Sequence, residues 1–156
     1  MTRDELLAGL EAMPAFLEAA FAALPPAEAV QPGPGGSFSP VEQCWHLADL
    51  ERDGYATRVR RLLTEDDPEL ADFDGARVAR ERQYLSLSLA EGLRSFRAAR
   101  AQTLSMLRQV QPHQWTRSGR QDGVGRVSLR DIPSMMAAHD ASHRREIEAW
   151  ALSRGP

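Results

Sequence analysis

The chain has no lysine and no asparagine, and all 19 of its basic residues are arginine. We read that bias as the codon usage of a GC-rich genome and attach no chemistry to it. It also has a single cysteine, Cys44. That excludes an internal disulfide framework and suits a reducing compartment, so the expected location is the cytoplasm. No apolar run is long enough for a membrane span. Asp4, Glu5, Glu11 and Glu18 interrupt the N-terminal stretch where a signal core would lie. A net charge of −3 weighs against nonspecific nucleic-acid binding. No segment alternates with a period of two, which leaves a sheet-based fold without support. What is present is ordinary globular composition, 42% hydrophobic and 26% charged, over 156 residues. One domain over 1–156 is expected.

Four helical patterns are present. Residues 2–24 open with capping-box spacing at Thr2 and Glu5, and Leu6, Leu10, Met13, Leu17, Phe21 and Leu24 recur as one stripe. Pro14 inside that stripe predicts a kink or a split. Residues 27–38 read as a loop. Ser39-Pro40-Val41-Glu42 is a clear helix start, with Val41, Cys44, Trp45, Ala48, Tyr55, Val59 and Leu62 on the apolar face to about Leu63. Residues 64–85 are mixed, with a short helix from Arg77 to Tyr84. Ser88 to Glu91 has capping-box spacing, and Leu89, Leu93, Phe96, Thr103, Leu107 and Val110 mark a third long helix. Residues 112–127 read as a second loop. The last helix starts between Ser128 and Pro133 and ends near Ser153, before Gly155-Pro156. The fold class expected is all-α, a four-helix bundle whose long connection between helices two and three lets them run parallel.

On the last helix, Ile132, Met135, Met136, His139, His143, Ile147 and Trp150 share one face. Two imidazoles one turn apart within an apolar stripe need polar partners, and a shared metal ion supplies both at once. Two separately bonded core histidines are the alternative. His46 lies on helix two roughly opposite its main apolar face, which by itself favours a solvated histidine. If helices two and four are antiparallel neighbours, His46 sits roughly 10 Å from the start of its helix and His143 roughly 15 Å from the end of its own. They would then meet at similar depth. His113 follows Pro112 and reads as a surface residue.

The run from Ser39 to Glu51, SPVEQCWHLADLE, resembles the first motif of the DinB-like proteins, a superfamily of metal-binding four-helix bundles. Trp115 to Gly119 and Gly125 to Asp131 resemble that family's approach to its last helix, and His139-Asp140-Ala141-Ser142-His143 its second motif. The similarity covers about residues 5 to 150. It implies an up-down-down-up topology, one divalent ion (zinc or nickel) on His46, His139 and His143, and a homodimer. DinB-like relatives include thiol S-transferases that use bacillithiol and a maleylpyruvate isomerase that uses mycothiol. The resemblance therefore implies a low-molecular-weight thiol, activated as a metal thiolate and presented to an electrophile.

Asp49, Asp140 and Glu146 flank the three histidines and are candidates to orient an imidazole or relay a proton. Solvated helix faces are their plainer reading. Arg100, in the middle of an apolar stripe, either binds a substrate carboxylate or forms a structural ion pair. Arg52 poses the same question. Met135, Met136 and Cys44 read as core. His139 to His143 also mimics a zinc-protease HExxH motif, but with the shorter Asp in place of Glu. A non-catalytic, stress-related or regulatory metal-binding protein is the alternative to an enzyme.

Overall fold

A computed structural model describes residues 1–155; Pro156 lies outside the described residues. Four long helical segments form the bundle. Helix α1 runs Arg3–Phe21, α3 runs Pro40–Asp49, α6 runs Leu89–Arg108 and α7 runs Ile132–Ser153. Helix α3 continues through a π-helical turn, Leu50–Tyr55, into α4, Ala56–Thr64, so the second long segment spans all three. Helix α2, Pro26–Ala29, and α5, Gly75–Arg82, are short connecting pieces.

The starts reflect local chemistry. Thr2 with Glu5 and Ser39 with Glu42 form complete capping boxes, satisfying backbone N–H groups that the first helical turn leaves unpaired. Ser88 caps α6 through the N–H of Glu91, which is half of the box expected there. The core divides into two main clusters. Leu10, Tyr55, Val59, Leu62, Leu107, Leu129, Ile132 and Met136 fill one; Met13, Leu17, Phe21, Cys44, Leu47, Phe96, Ile147 and Trp150 fill the other.

Three expectations are corrected. Helix α1 is not split at Pro14; it runs unbroken through it. The connection before α3 holds α2, and the stretch after α6 is not a plain loop. Strands β2, Ser118–Gln121, and β3, Gly125–Ser128, pair antiparallel, and β1, Glu69–Leu70, joins β2 in parallel. These strands are four residues or fewer, too short to display an alternating pattern. Gly119 is needed here: a Cβ would fall 2.5 Å from the carbonyl oxygen of Pro68. The small sheet ties the connection 65–88 to the end of the bundle without changing its helical class.

Candidate metal centre

Helix α3 presents His46, and α7 presents His139 and His143 one turn apart. Ring centroids are 5.5 Å apart for His46 and His139, 4.8 Å for His46 and His143, and 4.3 Å for His139 and His143. One ring nitrogen from each lies within 4.8 Å of the other two. His46 and His143 are buried at 8% exposure, and His139 is half-buried. The solvated reading of His46 is thereby corrected. Its face is polar within its own helix but is covered from outside by Phe38 at 5.2 Å and Phe73 at 6.2 Å between centroids. Gly75 at the start of α5 allows that cover, because a Cβ there would stand 2.8 Å from Cε1 of His46.

Nδ1 of His143 lies 2.8 Å from Oε1 of Gln43 and 2.8 Å from Oε1 of Glu146. Two acceptors on one nitrogen place the proton on Nδ1 and leave the Nε2 lone pair free. Nε2 of His143 is 3.0 Å from Nε2 of His139. Two nitrogens held on one ion at about 2.1 Å stand about 3 to 3.4 Å apart. Nδ1 of His46 is buried without a hydrogen-bond partner. Burial lowers the pKa of His46 to about 4, with His139 adding to the shift and Asp49 opposing it. Burial also lowers His143 to about 3, helped by His139 and then His46, and lowers His139 against the pull of Asp140. Three neutral, close, partly orphaned imidazoles are the donor set a first-row divalent cation accepts, and the residues fit such an ion.

The other candidate residues fall in different places. Glu146 touches the His143 imidazole, as described, and burial raises its pKa. Asp49 does not reach the histidines. Its fully buried carboxylate accepts from Arg82, from Tyr84 at 2.6 Å and from Arg52 at 3.1 Å, so it anchors the 65–88 connection onto α3. Arg52 is half-exposed and also pairs with Asp53 at 2.9 Å. Asp140 is taken by Arg100, with both guanidinium nitrogens at 2.8 and 2.9 Å from its oxygens. Arg100 is 2% exposed and also meets Glu51 at 3.0 Å and the carbonyl of Leu10 at 2.8 Å, a core ion pair with its fork engaged. Met136 is core and Met135 packs partly against it. Cys44 is core, and burial pushes its thiol pKa up, away from reactivity. His113 is exposed.

Four residues of the site carry no signal in the sequence alone: Gln43, Gly75, Phe73 and Phe38. Gln43 precedes His46 by three positions on a helix, a spacing that carries information only once α7 is known to lie beside it.

A family model described as the DinB superfamily matches residues 9–147. No curated protein matches by sequence. Among solved structures, YfiT from Bacillus subtilis is described as a probable metal-dependent hydrolase with an unusual four-helix bundle topology. It aligns with a TM-score of 0.89 at 19% identity, covering 99% of this chain and 90% of that one. TT2238, described as a four-helix bundle protein, aligns at 0.68 and 27% identity over 95% of this chain and 99% of that one. A mycothiol-dependent maleylpyruvate isomerase aligns at 0.76 and 13% identity. The alignment covers 96% of this chain and 62% of that enzyme, so the chain spans less than two thirds of its length.

Proposed function

The chain belongs to the DinB superfamily, and from that premise we propose that it holds one divalent metal ion on His46, His139 and His143 and uses it to transfer a thiol sulfur to an electrophile. The observation that carries this reading is the convergence of three imidazoles from two helices, with two Nε2 atoms 3.0 Å apart. Zinc or nickel suits three nitrogens. A bound divalent ion lowers the pKa of a coordinated thiol and so supplies a thiolate at neutral pH.

The chain's own residues do the rest. Gln43 and Glu146 hold the His143 ring with its Nε2 turned toward the other two histidines. Phe38 and Phe73 stand against His46 and Tyr55 against His139, which limits the solvent around the imidazoles. In that low-dielectric surround the histidines stay neutral and available as ligands. The thiol belongs to the bacillithiol or mycothiol class, a reading supported by the mycothiol-dependent enzyme among the structural neighbours. A homodimer, one domain over the whole chain, up-down-down-up topology and a cytoplasmic location belong to the same reading. Among the described residues no helix is long and apolar enough to cross a membrane.

The test is elemental analysis of untagged protein beside His46→Ala and His139→Ala, followed by thiol-dependent loss of an electrophile. About one equivalent of metal, lost in both variants together with the thiol reaction, supports the transferase. Metal bound at the triad with no thiol affinity supports a non-catalytic regulatory protein. No metal after reconstitution overturns both.

A further inference from the structure

Among the described residues two guanidinium groups are buried, and they are treated differently. Arg100 is neutralised by Asp140 and Glu51. Arg58, on α4, is 5% exposed, and its Nε is buried with no hydrogen-bond partner, as is the Nε of Arg100; the two differ at their Nη atoms. No carboxylate among the described residues pairs with it; Asp72, whose charge it feels, is exposed and not in contact. Its neighbours are the ring of Tyr55, 5.5 Å from Cζ to the centroid, and the bare backbone of Gly54. A Cβ on Gly54 would come 3.7 Å from both Cζ and Nη1. Leaving a buried charge unpaired is destabilising, and arginine cannot escape by losing its proton.

The position of this unpaired cation gives it a use. The Tyr55 ring that carries Arg58 also lies edge-on to His139, 6.3 Å between centroids. One aromatic ring therefore separates the guanidinium from the histidine triad. The guanidinium fork matches a carboxylate bidentately, and a single cation balances one negative charge, which suits a carboxylate better than a phosphate dianion.

We propose that Arg58 is the anion subsite of the histidine centre, receiving the carboxylate of a small-molecule substrate whose reacting end lies at His46, His139 and His143. This inference rests on the triad being the reactive centre. The ligand class is a carboxylate-bearing thiol or electrophile a few bonds long, spanning from the histidines past Tyr55 to Arg58. The carboxylate supplies the counter-charge that the fold leaves out.

The probes are 3-mercaptopropionate and its neutral counterpart 3-mercaptopropanol, titrated by calorimetry into metal-loaded and metal-free protein. Wild type should prefer the acid by tenfold or more. Arg58→Met should lose that preference while its affinity for the alcohol and its metal content stay unchanged. Arg58→Lys, which keeps the charge without the fork, should retain part of it. Arg58→Met should also melt at or above the wild-type temperature, since it removes an uncompensated charge. An acid preference that survives in Arg58→Met overturns the proposal. So does a melting point far below wild type in both Arg58→Met and Asp72→Asn, which would make the two residues a structural pair. If the protein takes up no metal, the function proposed above fails separately. An acid preference in metal-free protein that depends on Arg58 would still uphold the subsite, and its absence there would overturn it.

Discussion

Arg100 donates from Nη1 to the carbonyl oxygen of Leu10 at 2.8 Å, and that carbonyl is the one left without a helical partner by Pro14. In an α-helix the oxygen of residue 10 accepts from the N–H of residue 14, and proline has none. Helix α1 passes through Pro14 unbroken, and a guanidinium from α6 makes the missing bond. The same guanidinium neutralises Asp140 beside the site and Glu51 in the π-helical turn.

Arg100→Met is therefore expected to leave two buried carboxylates and one carbonyl unsatisfied. The cost should be on the order of 3–5 kcal/mol, a fall in melting temperature of roughly 10 °C. Urea unfolding measures it. Pro14→Ala restores an N–H to Leu10. It should recover about 1 kcal/mol more in the Arg100→Met background than in wild type, read from a double-mutant cycle. Additive effects would mean that the two residues do not share the carbonyl.

The buried histidines make the metal-free protein acid-sensitive. Their folded pKa values, about 4 for His46 and about 3 for His143, lie below the ordinary 6.5. Below pH 6.5 the unfolded chain takes up protons that the folded chain refuses. Stability is then full above about pH 6.5 and is lost as pH falls toward the folded values. The melting temperature of metal-free protein should hold from about pH 8 to 7 and decline between about 6.5 and 5, above the range where most carboxylates titrate. His46→Gln should flatten that decline. A decline of equal slope in the variant would locate its origin elsewhere.

Much of this is legible in the sequence where a pattern is local. His139 and His143 lie one turn apart on an apolar stripe, and the helix that carries them starts and stops where its caps and glycine predict. His46 is ambiguous in the sequence because its own helix puts it opposite the apolar face; Phe73 and Gly75, brought over it by the 65–88 connection, decide its burial. The π-helical turn at Leu50–Tyr55 is invisible for a different reason. It inserts an extra residue into the helical repeat, which no side-chain pattern announces, and Val59 and Leu62 beyond it still face the core. Spacing alone makes Asp49 and Asp140 neighbours of the histidines, whereas long-range arginines, Arg82 and Arg100, claim them.

Gln43 and Glu146 converge on one nitrogen of His143, each at 2.8 Å. Such partners fix the tautomer and aim of a ligand imidazole, and losing one weakens metal affinity by about 10- to 100-fold. Gln43→Leu and Glu146→Leu should each lower affinity for zinc by that factor in a competition titration with a chelator, leaving the stoichiometry near one. Glu146→Gln, which keeps an acceptor oxygen, should lose less. Unchanged affinity in both leucine variants would show that His143 is oriented by packing alone.

Gly75 offers a way to disturb the centre without altering any of its three histidines. It occupies the first turn of α5, just after the capping side chain of Asp74, where alanine is the better helix former. Its backbone lies against the His46 ring so closely that a Cβ would stand 2.8 Å from Cε1 and 3.1 Å from Nδ1. Gly75→Ala must therefore move either the ring or the 65–88 connection. Asp49 resists movement of the connection by holding Arg82 and Tyr84, so the ring should yield. The expected result is metal affinity lowered at least tenfold, with helical content retained by circular dichroism. Adding Asp49→Asn to Gly75→Ala should free the connection to retreat and recover part of that affinity. Full metal affinity in Gly75→Ala alone would mean that the connection gives way more readily than the imidazole, and that Asp49 holds it less firmly than its buried hydrogen bonds imply.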